Sequence, residues 1–128
     1  MELEKLFQAL GDRTRLRLVN LLAEGEICVC FFVDALDQPQ PTISRHLAYL
    51  RRAGLVAAQR DGKWMSYSLT PPRDAAERKV FDAVLESLAD DRELQRDRAR
   101  LLKSCCSPRA PEVLKRAPRP AVAATMSE

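Results

Sequence analysis

The 128-residue sequence has only four glycines, one histidine and four cysteines, and it lacks any long apolar run. No stretch approaches the roughly 20 consecutive apolar residues that a membrane-spanning helix needs. The acidic N-terminus, Met1-Glu2-Leu3-Glu4, is unlike a signal peptide, so we expect a cytoplasmic protein with no membrane partner. In the cytoplasm, cysteines are usually thiols or metal ligands rather than structural disulfides.

The single histidine and the absence of a Cys-x-x-Cys motif disfavour a zinc site and a thiol oxidoreductase. Zinc sites in helical sensors usually need several histidine and carboxylate ligands, and His46 has no histidine partner. A small thiol oxidoreductase would need a Cys-x-x-Cys motif near a βαβ unit, and the sequence has neither. We therefore expect a binding protein rather than an enzyme, with no permanent cofactor.

Leucine and alanine dominate the composition, which favours helices around one modest core. The apolar periodicity predicts helices over residues 2–10 and 13–23. A few extended residues from Ile27 then lead into a short helix that ends by Asp37. A tight, proline-bearing turn follows and connects this short helix to a longer one.

The longer helix is predicted from Gln40 to its C-cap at Gly54. Ile43, Leu47 and Leu50 fall on one side of it and should face a core. The remaining surface carries hydrogen-bonding side chains that suit a DNA major groove, namely Gln40, Thr42, Ser44, Arg45, His46 and Tyr49. The two helices and their turn predict a helix-turn-helix, although an ordinary surface helix is the alternative for this segment alone.

The segment after this helix predicts a β-hairpin. Residues 55–60 and 64–69 are strand-like, and Asp61-Gly62 between them is a strong turn signal. Arg60 and Lys63 would lie near DNA phosphates at the hairpin tip. The expected fold is therefore mainly α with a small β-hairpin, a winged helix-turn-helix.

Positive charge is concentrated on these two elements. Residues 1–39 carry a net charge of −3 and residues 40–67 carry +4, although the whole chain carries only +3. A polyanion-binding face requires such a distribution, whereas a solvated surface patch is the alternative. A purely structural dimer would leave this concentration unexplained.

The C-terminal half predicts self-association and a tail. The helix over residues 74–88 has an apolar stripe wider than a small domain needs, which predicts a homodimer through terminal helices. The apolar pattern weakens at residues 89–91 and then resumes sparsely. It leaves open whether the chain from residue 74 onward forms one long helix or two. We predict a DNA-binding domain over 1–90, a helical extension with a cysteine pair over 91–106, and a disordered tail over 107–128.

The four cysteines form two pairs, Cys28 with Cys30 and Cys105 with Cys106. Soft thiolates select thiophilic ions, and two or three converging sulfurs make a high-affinity site. Cys28 and Cys30 would point the same way in an extended chain but diverge in a helix. If the pair lies at the start of the first helix of the helix-turn-helix, binding would have to unwind or re-aim that turn. The alternatives are small buried hydrophobes for the first pair and exposed thiols for the second.

Four segments between residue 3 and about residue 70 resemble the ArsR/SmtB family of metal- and metalloid-responsive repressors. They are residues 10–17, 25–30, 40–47 and 60–67, and the Cys-Val-Cys segment is similar to the arsenic-responsive branch. The resemblance implies a homodimeric repressor that leaves double-stranded operator DNA when trivalent arsenic or antimony binds cysteine thiolates. Its two recognition helices would enter successive major grooves about 34 Å apart.

Two residues depart from the family pattern. Val33 stands where the arsenic-responsive branch commonly has a third cysteine. Either two thiolates suffice, or Cys105 or Cys106 supplies the third, or the C-terminal pair is the site; a two-thiolate site would also suit a methylated arsenical. Pro39 stands where the family often has a helix-capping serine. Another soft ion, such as cadmium or lead, is the alternative inducer.

Overall fold

Six helices and three strands make up the described part of the chain in the computed structural model, which covers residues 2–106, 117, 118 and 120. In chain order they are α1 (Leu3–Leu10), α2 (Arg13–Leu22), β1 (Ile27–Cys28), α3 (Val29–Leu36), α4 (Gln40–Arg52), β2 (Val56–Asp61), β3 (Trp64–Leu69), α5 (Ala75–Leu88) and α6 (Arg92–Cys106). The predicted helices over 2–10 and 13–23 are confirmed within one residue at their ends.

The helix-turn-helix consists of α3 and α4. Asp37 ends α3 in a left-handed conformation with φ of 51°, and α4 begins after Pro39, which offers no side-chain cap. Pro41 lies in the first turn of α4, where its missing N–H is not needed. Ile43, Leu47 and Leu50 are fully buried, as their spacing predicts.

The wing is the β2–β3 hairpin, which belongs to a three-stranded antiparallel sheet of order β1-β3-β2. Asp61 pairs with Trp64, so the two-residue turn is Gly62-Lys63 rather than the predicted Asp61-Gly62. Gly62 has φ of +61°, which suits glycine at the first central position of a type II′ turn. The third strand, β1, was not predicted as part of this sheet.

Residues 75–106 form two helices rather than one, which answers the question that the sequence left open. The side chain of Asp91 accepts hydrogen bonds from the backbone N–H groups of Glu93 and Leu94, and it thereby caps α6. Arg17 on α2 joins α6 through a bidentate pair with Asp97, whose side chain is almost fully buried. The α6 helix therefore packs on its own α2 and α3.

These elements form a winged helix-turn-helix, as predicted. Within residues 2–106, 117, 118 and 120, no helix has the length and apolar character needed to cross a membrane. The predicted tail, residues 107–128, lies outside the described residues except at 117, 118 and 120. Ala117 is 5% exposed and belongs to the core cluster.

Candidate DNA interface and cysteine site

The exposed face of α4 carries three of the predicted DNA contacts. Gln40, Ser44 and Arg45 are exposed, and Thr42 is half-buried beside them. The opposite face of α4 is fixed in the core, so these side chains are displayed by a helix that has a defined orientation. This geometry is that of a recognition helix, and we use that name for α4 below.

His46 and Tyr49 of the recognition helix both contact the same residue of α2, Arg15. The Arg15 guanidinium lies 4.1 Å from the centre of the Tyr49 ring, and its Nη1 lies 3.4 Å from Nδ1 of His46. Arg15 also donates to the carbonyl oxygens of Gln8 and Ala9 at the end of α1. Arg15 therefore links α1 and α2 to the recognition helix, a role that its position in the sequence did not reveal.

The side chain of His46 is 13% exposed and lies 3.8 Å from Oδ1 of Asp12. Burial, together with nearby Arg15 and Arg45, lowers the pKa of His46 against the opposing charge of Asp12. Burial alone would raise the pKa of the Asp12 carboxyl. A backbone hydrogen bond from Arg15 and the positive charges of His46 and Arg15 outweigh this effect, so the pKa is lowered. His46 is thus placed to orient the recognition helix, and its contact with DNA stays a prediction.

The predicted wing contacts, Arg60 and Lys63, are both exposed at the hairpin tip. The Lys63 ammonium lies 5.1 Å from the centre of the Trp64 ring, which is within the range of a cation–π contact. This contact orients Lys63 at the turn. The wing and the recognition helix therefore both present cations to solvent.

Cys28 and Cys30 converge at the start of α3. Cys28 is the N-cap of α3 with extended φ and ψ of −69° and 141°, and Cys30 lies in the first helical turn. The Sγ of Cys30 lies 3.3 Å from the Sγ of Cys28, to which it donates a hydrogen bond. The pair straddles the strand-to-helix junction, so its sulfurs lie close together although Cys30 is already helical. That an ion unwinds or re-aims this turn stays a prediction.

The sulfur separation suits a shared ion. Two thiolates bound to one zinc ion at about 2.3 Å and a tetrahedral angle are about 3.8 Å apart, and a more acute angle brings them closer. Cys28 is 1% exposed and Cys30 is half-buried. Burial, and next the hydrogen bond with Cys28, raises the pKa of Cys30 to about 12, so Cys30 is a neutral thiol at neutral pH.

The second cysteine pair lies at the end of α6. Cys105 is half-buried against the core, with its Sγ 3.8 Å from the carbonyl oxygen of Leu102. The side chain of Cys106 lies outside the described part of the chain. Among the described residues, no three His, Cys, Asp or Glu side chains are grouped so that they could hold one metal ion.

The Cys28–Cys30 pair lies between the two elements of the candidate DNA interface. Cys28 pairs with Ser66 of β3, so β1 is hydrogen-bonded to the wing. The α3 helix, which begins beside the pair, shares a core with Ile43, Leu47 and Leu50 of the recognition helix. A change at this junction can therefore reach both elements.

Comparison with known proteins identifies the family. Residues 12–58 match the model described as "Bacterial regulatory protein, arsR family". The arsenical resistance operon repressor of Escherichia coli is 52% identical over 79 residues, which are 61% of this chain and 68% of that protein. This chain belongs to the ArsR family. It is therefore a DNA-binding transcriptional regulator, since regulators of this family bind operator DNA.

Two further relatives and one solved structure are also similar to this chain. The arsenic resistance transcriptional regulator ArsR1 of Pseudomonas putida is 47% identical over 91 residues, which are 67% of this chain and 71% of that protein. A cadmium resistance regulatory protein CadC homologue of Staphylococcus aureus is 37% identical over 70 residues, 54% of this chain and 58% of that protein. The solved structure of the repressor BigR from Xylella fastidiosa superposes with a TM-score of 0.55 at 32% identity, covering 66% of this chain and 83% of that one.

Proposed function

We propose that this ArsR-family chain is a homodimeric repressor that leaves its operator when trivalent arsenic or antimony binds Cys28 and Cys30. The observation that carries the proposal is the 3.3 Å separation of the two sulfurs at the start of α3. Its relatives in Escherichia coli and Pseudomonas putida are named for arsenical or arsenic resistance. No permanent cofactor takes part in this function.

The junction supplies the route from inducer to DNA. An inducer shifts the equilibrium only if it binds the DNA-free conformation more tightly than the DNA-bound one. An ion that bridges Cys28 and Cys30 fixes the end of β1 relative to the first turn of α3. Because β1 pairs with the wing and α3 packs on the recognition helix, a shift there changes the spacing of the two DNA-binding elements.

The dimer is proposed through the apolar surface of α1 and α5. Leu3 and Phe7 on α1 are large apolar side chains that are 41% and 56% exposed. Phe7 also borders an apolar groove whose other lining residues are Leu10, Gly11, Leu16, Val80, Ala83, Val84, Ser87 and Leu88. A second copy that covers this surface would pair two recognition helices on a palindromic operator.

We expect Arg45→Ala to weaken operator binding about 10- to 100-fold, because an exposed arginine on a recognition helix contributes a base or phosphate contact. Arg96→Ala on α6 is the matched control, since Arg96 is also exposed but lies outside the proposed interface. Both are measured by fluorescence anisotropy with a labelled operator duplex at fixed salt. Equal losses in the two variants would remove α4 from the interface.

The inducer is tested by titrating the protein–operator complex with arsenite, antimonite, Cd²⁺ and Pb²⁺. We expect arsenite and antimonite to release the operator at about one equivalent per chain. Release by Cd²⁺ or Pb²⁺ alone would favour the second candidate function, a sensor of another soft ion, which the cadmium resistance relative suggests. Release by none of these would contradict the proposed function.

A further inference from the structure

A polar row crosses the wing sheet and ends at the Cys28 thiol. Cys28 on β1 pairs with Ser66 on β3, and Ser66 pairs in turn with Gln59 on β2. Directly paired residues point to the same face of a sheet, with Cα atoms roughly 4.5–5.5 Å apart. The thiol, the hydroxyl and the amide therefore lie side by side on one face of three adjacent strands.

The same three residues line a cavity of about 360 Å³, whose remaining walls are Glu26, Arg60, Asp61 and Pro118. Ser66 is only 7% exposed, and its hydroxyl has no hydrogen-bond partner among the described residues. In the part of the chain that the structure describes, no side-chain nitrogen or oxygen is both fully buried and without a hydrogen-bond partner. The Ser66 hydroxyl therefore opens to the cavity, ready to bind a polar group next to Cys28.

We propose that this cavity holds the third, non-protein ligand of the arsenic, a hydroxyl that hydrogen-bonds to Ser66 and Gln59. The inference rests on the proposed function and makes it more specific. Arsenous acid reacts with the two thiols as As(OH)₃ + 2 RSH → (RS)₂AsOH + 2 H₂O. Two As–O bonds are exchanged for two As–S bonds, each thiol proton leaves in water, and arsenic stays trivalent with one hydroxyl.

The polar row makes the site selective for inorganic arsenite over methylated arsenite. Methylarsenite, CH₃As(OH)₂, loses both hydroxyls to the two thiols, and the remaining group on arsenic is a methyl. A methyl group cannot hydrogen-bond to Ser66 or Gln59, and it would leave the nearly buried Ser66 hydroxyl without a partner beside the buried thiol. Val33, in the position of the missing third cysteine, is compatible with this arrangement because the third ligand is the hydroxyl that arsenic retains.

The test compares arsenite and methylarsenite as releasing agents for wild type, Ser66→Ala and Gln59→Leu. We expect each variant to raise the arsenite concentration for half-release about five- to tenfold, which corresponds to the loss of one hydrogen bond. The methylarsenite concentration for half-release should change less than about twofold, because methylarsenite makes no such bond. Ser68→Ala is the matched control, because Ser68 lies two residues along the same strand outside the cavity. Ser66→Thr keeps the hydroxyl and should keep the arsenite response.

Two further readouts separate this subsite from a structural role. X-ray absorption at the arsenic edge should show two sulfurs and one oxygen around arsenic, and Trp64 fluorescence should report binding without DNA. Equal losses for both arsenicals, no loss for either, or three sulfurs around arsenic would each overturn the subsite. If wild type responds to neither arsenical, the proposed function fails instead.

Discussion

Between pH 6.5 and pH 8.5, the affinity for arsenite is expected to change less than about threefold, whereas the affinity for Cd²⁺ should rise at least about 100-fold. Burial raises the pKa of Cys30 to about 12, so this thiol keeps its proton across the whole range. A divalent cation must displace that proton, which makes its affinity rise about tenfold per pH unit for each proton released. Arsenous acid instead returns the proton as water, so no net proton is released.

This difference in pH dependence distinguishes the two candidate inducers by their chemistry rather than by their potency. The measurement is the apparent dissociation constant from Trp64 fluorescence in the absence of DNA, so that the pH dependence of operator binding does not enter. Operator affinity measured alone over the same pH range is the control. An arsenite affinity that rises as steeply as that of Cd²⁺ would mean that arsenic does not bind the Cys30 thiol.

Much of the fold could be predicted from the sequence because local signals agree with the tertiary structure. Ile43, Leu47 and Leu50 predicted the buried face of the recognition helix, and all three are fully buried. Asp61-Gly62 predicted the hairpin, although the turn is one residue further along because Asp61 still pairs with Trp64. Helical periodicity and turn residues depend on nearby residues only, so they are visible in one sequence.

The features of the candidate site that could not be predicted depend on contacts between distant residues. The pairing of Cys28 with Ser66 joins residues 38 positions apart, and nothing in the hairpin signal predicts β1 as a third strand. The convergence of Cys28 and Cys30 follows from the point at which β1 becomes α3, and secondary-structure boundaries are the least reliable part of a sequence-based prediction. Arg15 became visible as a positioning residue only when α1, α2 and α4 were packed together.

The double variant Cys28→Ser, Cys30→Ser is expected to bind the operator within about twofold of wild type but to need at least about 100 times more arsenite for release. Serine is close to cysteine in size and keeps a hydrogen-bonding group at the junction, so the fold should be retained. Its hard oxygen does not replace a soft thiolate as a ligand for a thiophilic ion. The matched control is Cys105→Ser, Cys106→Ser, which alters the other cysteine pair.

The most direct measurement of the central claim is therefore arsenite titration of the operator complex for wild type and the two double variants, followed by fluorescence anisotropy. We predict release of wild type and of the Cys105→Ser, Cys106→Ser variant at about one equivalent per chain. We predict no release of the Cys28→Ser, Cys30→Ser variant at that concentration. Release that survives in the Cys28→Ser, Cys30→Ser variant and is lost in the other would contradict the account and place the inducer at the end of α6.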